Sequence, residues 1–279
     1  MANQTAYLDD TLRWGLDWML KVTRLTSGGL PAKPSSRLTQ VRGPSTCWFR
    51  QVSSADPSFR LLNSVLATEQ DTYWGGDLSI PSPRQLYQIN DTAPGTDAAA
   101  QVAAAFAACS NLYAGRGFSS NSYSAPATLQ NTTYAELLLS HAQDLYSFAV
   151  NATSGRKTYQ TSVPQAAAAY GSSGYGDELT IAALFLARAT GSNTYYSEAE
   201  SYYTRYSLRD SNRVFNWDSK TPGLAVLFSQ ILNTTADFSG NLSTWQKEAE
   251  SYFDDLIVGK AGGYLTRGVF VFIDPSPLI

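Results

Sequence analysis

Apolar positions recur at helical spacing along most of the chain, in segments separated by loops heavy in Gly, Pro, Ser and aromatic residues. Leu8, Leu12, Leu16, Met19 and Leu20 keep the 3.6-residue period, which predicts a helix over 8–22. The Ala-rich run 97–114 predicts a second helix, with Thr96 placed to cap it. Thr132 and Thr133 precede a third, over 134–150. A fourth spans 175–190 and meets Gly191, a residue suited to a left-handed C-cap. Further helices fit 194–206, 222–233 and 243–257; Gly259, Gly262, Gly263 and Gly268 then interrupt the pattern. The sum is about seven helices and no sustained strand alternation, apart from a short apolar tail at 269–273.

Two stretches fall outside this rhythm. Residues 23–70 are rich in Pro, Gly, Ser and Arg and hold no period, which is unusual inside a compact domain. Residues 71–95 read as an irregular loop carrying Trp74, Gly75, Gly76, Pro81, Pro83 and Pro94. The organisation is therefore a helix at 1–22, an insert or linker at 23–70, the main helical region at 71–268 and a tail at 269–279. Up-down bundles use short polar loops. Long loops rich in Trp, Tyr, Asp and Gly at alternate helix ends fit a toroid of helical hairpins with a binding face.

Composition narrows the chemistry. The 279 residues weigh 30.3 kDa and are 43% hydrophobic, so a sizeable core is available. Only 15% are charged, the net charge is −3 and the pI is near 5.2, which excludes a basic nucleic-acid footprint. No apolar run approaches the roughly 18 residues of a membrane span. One His and two Cys exclude a His-based metal cluster or a disulfide scaffold, and no metal or cofactor is expected. Whether Cys47 and Cys109 pair is left open by the sequence. Aromatics reach 13%, with 17 Tyr, and a neutral, polar, tyrosine-rich surface suits a neutral polar ligand such as a carbohydrate. Sequons at Asn3, Asn90, Asn131, Asn151, Asn233 and Asn241 favour a secreted glycoprotein, while Met1-Ala2-Asn3-Gln4-Thr5 has neither the charged nor the apolar region of a signal peptide.

Seven blocks, taken in order, carry a resemblance. They are Leu12-Arg13-Trp14-Gly15-Leu16-Asp17-Trp18-Met19-Leu20-Lys21; Tyr73-Trp74-Gly75-Gly76-Asp77 followed by Tyr87-Gln88-Ile89-Asn90; and Pro94-Gly95-Thr96-Asp97-Ala98-Ala99-Ala100 running into Ala103–Ala108. Then come Leu137–Tyr146; Tyr170-Gly171-Ser172-Ser173-Gly174-Tyr175-Gly176-Asp177-Glu178-Leu179 leading to Arg188-Ala189-Thr190-Gly191; Phe215-Asn216-Trp217-Asp218-Ser219-Lys220; and Gly263-Tyr264-Leu265-Thr266-Arg267-Gly268. Together they resemble glycoside hydrolase family 9, the inverting β-1,4-glucanases. The resemblance implies an all-α fold, an (α/α)6 barrel or six-hairpin toroid, of which about seven of twelve helices fall within this chain. It also implies hydrolysis of internal β-1,4-glucosidic bonds in cellulose, with a β-glucan chain as partner, no nucleic acid or membrane partner, an extracellular setting for the parent family and a monomer.

By the same resemblance Trp74 and Trp217 are stacking subsites or, alternatively, loop anchors. Tyr175 lines the cleft or packs beneath it. Asp71 and Asp77, which flank Trp74, are candidates for sugar hydroxyls or for a cation, and Asp218 beside Trp217 for either a sugar hydroxyl or a structural role. Asp177 and Glu178 are neighbours about 100° apart on a helix, not a facing pair, and are expected to serve the helix start; Asp97 is expected to be structural likewise. His141 is expected in a core or capping role. Inversion needs a base and an acid roughly 6.5–9.5 Å apart. The family's base lies in an Asp-rich block upstream of the Arg-Trp-Gly helix and its acid is a Glu beyond the Gly-Tyr-Leu block. Neither segment is found in this sequence, so no catalytic residue is assigned and the chain is expected to be inactive by itself. The alternatives are a non-catalytic carbohydrate-binding remnant or a non-folding gene-model fragment in which 23–70 and 269–279 are artefacts.

Overall fold

The computed structural model describes residues 4–24, 60–63, 87–116, 129–164, 171–210, 215–234, 238–257, 263–265 and 271–273. Among them the helices are α1 (Thr5–Val22), α2 (Thr96–Tyr113), α3 (Thr132–Asn151), a single turn α4 (Tyr159–Ser162), α5 (Gly176–Thr190), α6 (Asn193–Arg205), α7 (Thr221–Thr234) and α8 (Leu242–Ile257). The seven longer ones coincide with the predicted helices to within about three residues at each end, the usual uncertainty of helix boundaries. Short strands that the apolar pattern does not show lie beside them. Strands β1 (Thr23–Arg24), β2 (Arg60–Asn63) and β3 (Tyr87–Ile89) form an antiparallel sheet in that order, with Leu61 paired to both Thr23 and Ile89. Strands β4 (Gly263–Leu265) and β5 (Val271–Ile273) pair with each other, and β5 falls in the predicted apolar tail.

Three helical hairpins, α2–α3, α5–α6 and α7–α8, stand side by side, as in an (α/α)6 barrel. Hydrogen bonds fix their polarity. At one end the start of α7 meets the start of α5, where Lys220 N donates to Asp177 Oδ2 at 2.7 Å. At the other end the last turns of α2 and α5 meet, where Asn111 Nδ2 donates to the Phe185 carbonyl at 3.3 Å and Arg116 to that of Ala189. So α2, α5 and α7 run parallel, and α3, α6 and α8 return.

Sequence explains which helices are enclosed. Alanine dominates α2, favouring helix and letting neighbours approach closely. Ala99, Ala100, Ala103, Phe106 and Ala107 are wholly buried, and α5 likewise buries Leu179, Ala182, Ala183, Leu184, Leu186 and Ala187. Helix α6 carries Tyr, Ser and Glu and buries only Tyr196, Ala199, Tyr202 and Tyr203, as a one-sided outer helix does. Its tyrosines knit α6 to α7 and α8. Phe228 and Trp245 stack with centroids 3.9 Å apart, Tyr203 meets Trp245 edge-on at 4.9 Å, and Tyr196 stacks on Phe238 at 5.3 Å.

Capping follows the chain chemistry with one difference from expectation. Asn131 caps α3, its side chain accepting from Tyr134 N at 2.9 Å. Gly191 closes α5 at φ +70°, in the left-handed region as predicted. Thr96 is not a cap: the helix begins at Thr96 with Gly95 before it, and the threonine is used sideways. Its N–H donates to the Lys157 carbonyl at 2.7 Å and its Oγ1 accepts from Lys157 N at 3.2 Å. Helix α1 is tied to the first hairpin by a polar and aromatic clamp. Arg13 lies over the Tyr134 ring at 4.1 Å and bonds Asp9 at 3.0 Å, while Tyr113 and Tyr134 donate to Asp9 and Asp17, each at 2.7 Å.

Candidate functional site

The starts of the three parallel helices share one end of the molecule, and the loops that feed them meet there. Asp97, in the first turn of α2 and 2% exposed, accepts from Tyr159 N at 2.8 Å and from Ser172 Oγ at 2.5 Å. It therefore joins α4 and the 171–175 loop to α2. Burial raises the pKa of its carboxyl, against the lowering effect of these donors. The next residue of the loop, Ser173, donates its N–H to Asp218 Oδ1 at 2.9 Å, which ties the loop to the turn before α7.

That turn, 215–220, is built on Asn216. Its Oδ1 accepts from Asp218 N at 2.9 Å and Ser219 N at 2.8 Å, and its own N–H donates to the Ser219 carbonyl at 3.1 Å. Lys220 closes the turn from below. Its Nζ lies 2.8 Å from Glu178 Oε1, 3.0 Å from the Trp217 carbonyl and 3.5 Å from that of Asp218. Burial, with Asp177 beside it, pushes the Glu178 carboxyl up to about 9, outweighing the opposing pull of Lys220. The aromatic side chains of the turn stand outward: Trp217 is 57% exposed and Phe215 61%.

Of the six predicted site residues, Asp71, Trp74 and Asp77 lie outside the described residues. Trp217, Asp218 and Tyr175 are brought to the same end of the molecule. Trp217 presents its indole to solvent. Asp218 spends one carboxylate oxygen on the loop bond to Ser173. Tyr175 precedes α5, gives its carbonyl to Leu179 N at 3.1 Å and sets its half-buried ring edge-on to Tyr206 at 5.5 Å. The Gly-Tyr-Gly spacing has a cause here, since a Cβ on Gly176 would lie 2.6 Å from Cβ and Cγ of Tyr206. Asp177 and Glu178 hold the start of α7 and its turn, in line with the structural role expected of them. His141 is half-buried, edge-on to Phe106 at 6.1 Å, and burial lowers its pKa.

Two residues at this end were not singled out from sequence. Lys220 was visible only as the last letter of the Trp-Asp-Ser-Lys block, and a cation three residues after a turn aromatic was the available signal. Phe215 opens the same block, and nothing in its spacing distinguishes it from a core aromatic. Among the described residues no group of three or more His, Cys, Asp or Glu is placed to hold a metal, and no helix is long and apolar enough to cross a membrane. The arrangement offers an aromatic plate beside hydrogen-bonding loops. Asp97, Asp177, Glu178 and Asp218 are each engaged in holding loops or helix starts.

Comparisons with known proteins agree with this architecture. The family model for glycosyl hydrolase family 9 matches residues 1–276. Endoglucanase 5 of Arabidopsis thaliana is 35% identical over 208 residues, covering 70% of this chain and 29% of the relative. Endoglucanase 15 of the same plant is 35% identical over 229 residues, covering 80% of this chain and 42% of the relative. Among solved structures, the endoglucanase of the termite Nasutitermes takasagoensis superposes with a TM-score of 0.58 at 31% identity, over 72% of this chain and 40% of that one. The catalytic domain of Clostridium thermocellum CelT gives a TM-score of 0.65 at 19% identity over 98% of this chain and 49% of that one, a likeness of fold. The chain spans less than half the length of each of these proteins.

Proposed function

Because the chain belongs to glycosyl hydrolase family 9, we propose that it supplies part of the substrate-holding face of an enzyme that hydrolyses internal β-1,4-glucosidic bonds of cellulose. Trp217 is the observation that carries this reading. Its exposed indole stands at the end where the parallel helices begin, on a turn fixed by Asn216, Asp218 and Lys220. The apolar C–H face of a glucose ring stacks on such a plate, while loop N–H and carbonyl groups serve the hydroxyls. A neutral polymer needs no counter-charge, which accords with the low charge of the chain.

Binding and chemistry separate here. Stacking holds substrate and transition state about equally and so contributes little to kcat. Rate comes from an acid that protonates the leaving oxygen and a base that activates water. The carboxylates at this face are committed to loops, so we assign the described residues to binding and assign none of them to proton transfer. The setting we propose is extracellular, supported by the sequons at Asn131, Asn151, Asn233 and Asn241, whose asparagines are all exposed.

The test titrates the purified chain with cellohexaose, followed by tryptophan fluorescence, alongside a reducing-end assay on carboxymethylcellulose. Saturable binding that weakens in Trp217→Ala, with no release of reducing ends, is expected. Equal binding by wild type and Trp217→Ala would remove the subsite, and turnover by the purified chain would overturn the division between binding and chemistry.

A further inference from the structure

We propose that Lys220 and Glu178 are positioning residues that hold the Trp217 indole in place through the backbone of its turn. This rests on the reading of Trp217 as a stacking plate, and it adds how the plate is kept flat.

Asn216 fixes the turn from within, but those bonds leave its tilt relative to α5 undetermined. Among the described residues, two attachments bear on that tilt. One is Asp218 Oδ1 on Ser173 N, on the outer side and exposed. The other is Lys220. Its ammonium is bound at the same time to the Trp217 carbonyl, the Asp218 carbonyl and Glu178 Oε1, and its backbone N–H is held by Asp177 Oδ2 at 2.7 Å. The Lys220 side chain is 13% exposed and that of Glu178 3%. Water therefore competes poorly for the bond to Glu178, which anchors the ammonium from below, while the bond to the Trp217 carbonyl lies at the surface.

The geometry makes Lys220 a peg driven between the start of α5 and the underside of the turn. The carbonyl it grips belongs to Trp217 itself, so moving the ammonium moves the peptide that carries the indole. A plate that stacks on a sugar ring has to be pre-set, because ordering it on binding consumes affinity. The adjacent acids Asp177 and Glu178 divide the work: one holds the Lys220 backbone, the other its side chain.

The experiment uses the full chain labelled with 5-fluorotryptophan. The ¹⁹F resonance of Trp217 is identified by its absence in Trp217→Ala. In Lys220→Met this resonance is expected to shift or broaden without ligand, and cellohexaose binding is expected to weaken by about three- to tenfold. Removing one partner of a buried pair can unfold a chain, so the double variant Lys220→Met/Glu178→Leu is measured in parallel; it replaces the pair with apolar groups and keeps the packing. It is expected to show the same change in the Trp217 resonance with the other tryptophan lines unmoved. A Trp217 line identical to wild type in the folded double variant would overturn the proposal. A changed line together with unaltered binding in Trp217→Ala would leave the positioning intact and sink the subsite reading instead.

Discussion

Asp97 sits where three parts of the site meet, and its replacement by Ala is the sharpest probe of how that end is assembled. The carboxylate accepts from Tyr159 N and Ser172 Oγ, and it lies in the first turn of α2. An unmet buried donor costs about 1–3 kcal/mol, and two donors lose their acceptor at once. Both belong to half-buried residues, so water restores part of each bond and the lower half of that range applies. Loss of the favourable interaction with the helix start adds about 0.3–1 kcal/mol. The sum is about 2–5 kcal/mol for Asp97→Ala. Asp97→Asn keeps an acceptor for Tyr159 N, and its amide can donate to the Ser172 hydroxyl, so its cost is about 1 kcal/mol or less. Urea unfolding followed by far-UV circular dichroism reads the difference, and for a slope of about 3 kcal/mol per M the Ala midpoint drops by about 1 M. The reasoning fails if Asp97→Ala lies within about 0.5 kcal/mol of wild type. It fails also if Asn proves as costly as Ala, because hydrogen bonding would then not be the cause.

Gly176→Ala drives a methyl to within 2.6 Å of Tyr206 and is expected to cost about 1–3 kcal/mol, with altered near-ultraviolet dichroism from the Tyr175–Tyr206 pair; a neutral result by thermal unfolding would show that Tyr206 swings aside freely. Glu178 gives a pH effect of defined sign. Its folded pKa, raised to about 9, stands above an unfolded value of about 4.3. Its contribution to stability is therefore complete below about pH 4.3 and is lost as pH rises through about 9, at up to about 1.4 kcal/mol per unit. Glu178→Gln has no proton to lose, so the difference between wild type and variant is expected to narrow or reverse with rising pH between 5 and 9. Parallel curves would mean that Lys220, not burial, governs the carboxyl.

The helices were legible because each carries its own signal over 13 to 20 residues. Alanine content announced α2 and the Tyr-Gly-Asp-Glu start announced α5. The strands were not, since β1 has two residues and β2 four, too few for alternation to register. What holds them is pairing between Thr23, Leu61 and Ile89, far apart in sequence. The same limit applies at the site. The Trp-Asp-Ser-Lys block could be seen as a turn bearing an aromatic, and its neighbours Asp177 and Glu178 could be seen as serving a helix start. That Lys220 reaches back 42 residues to Glu178 is a tertiary fact with no trace in local spacing. Thr96 shows the reverse case. Its local chemistry favoured a cap, and the approach of Lys157 redirected both its N–H and its hydroxyl.

The row of hairpins has a consequence for how the protein comes apart. α5 packs against α2 on one side and α7 on the other, whereas α2 and α7 reach each other chiefly through it. Stability in such a row is close to a sum of units and of the seams between them. Opening is therefore cheapest where a hairpin has one seam and dearest where it has two. Native-state hydrogen exchange is expected to find the α5–α6 hairpin among the last to exchange its amide hydrogens, and the turn that carries Trp217 is rooted in that unit.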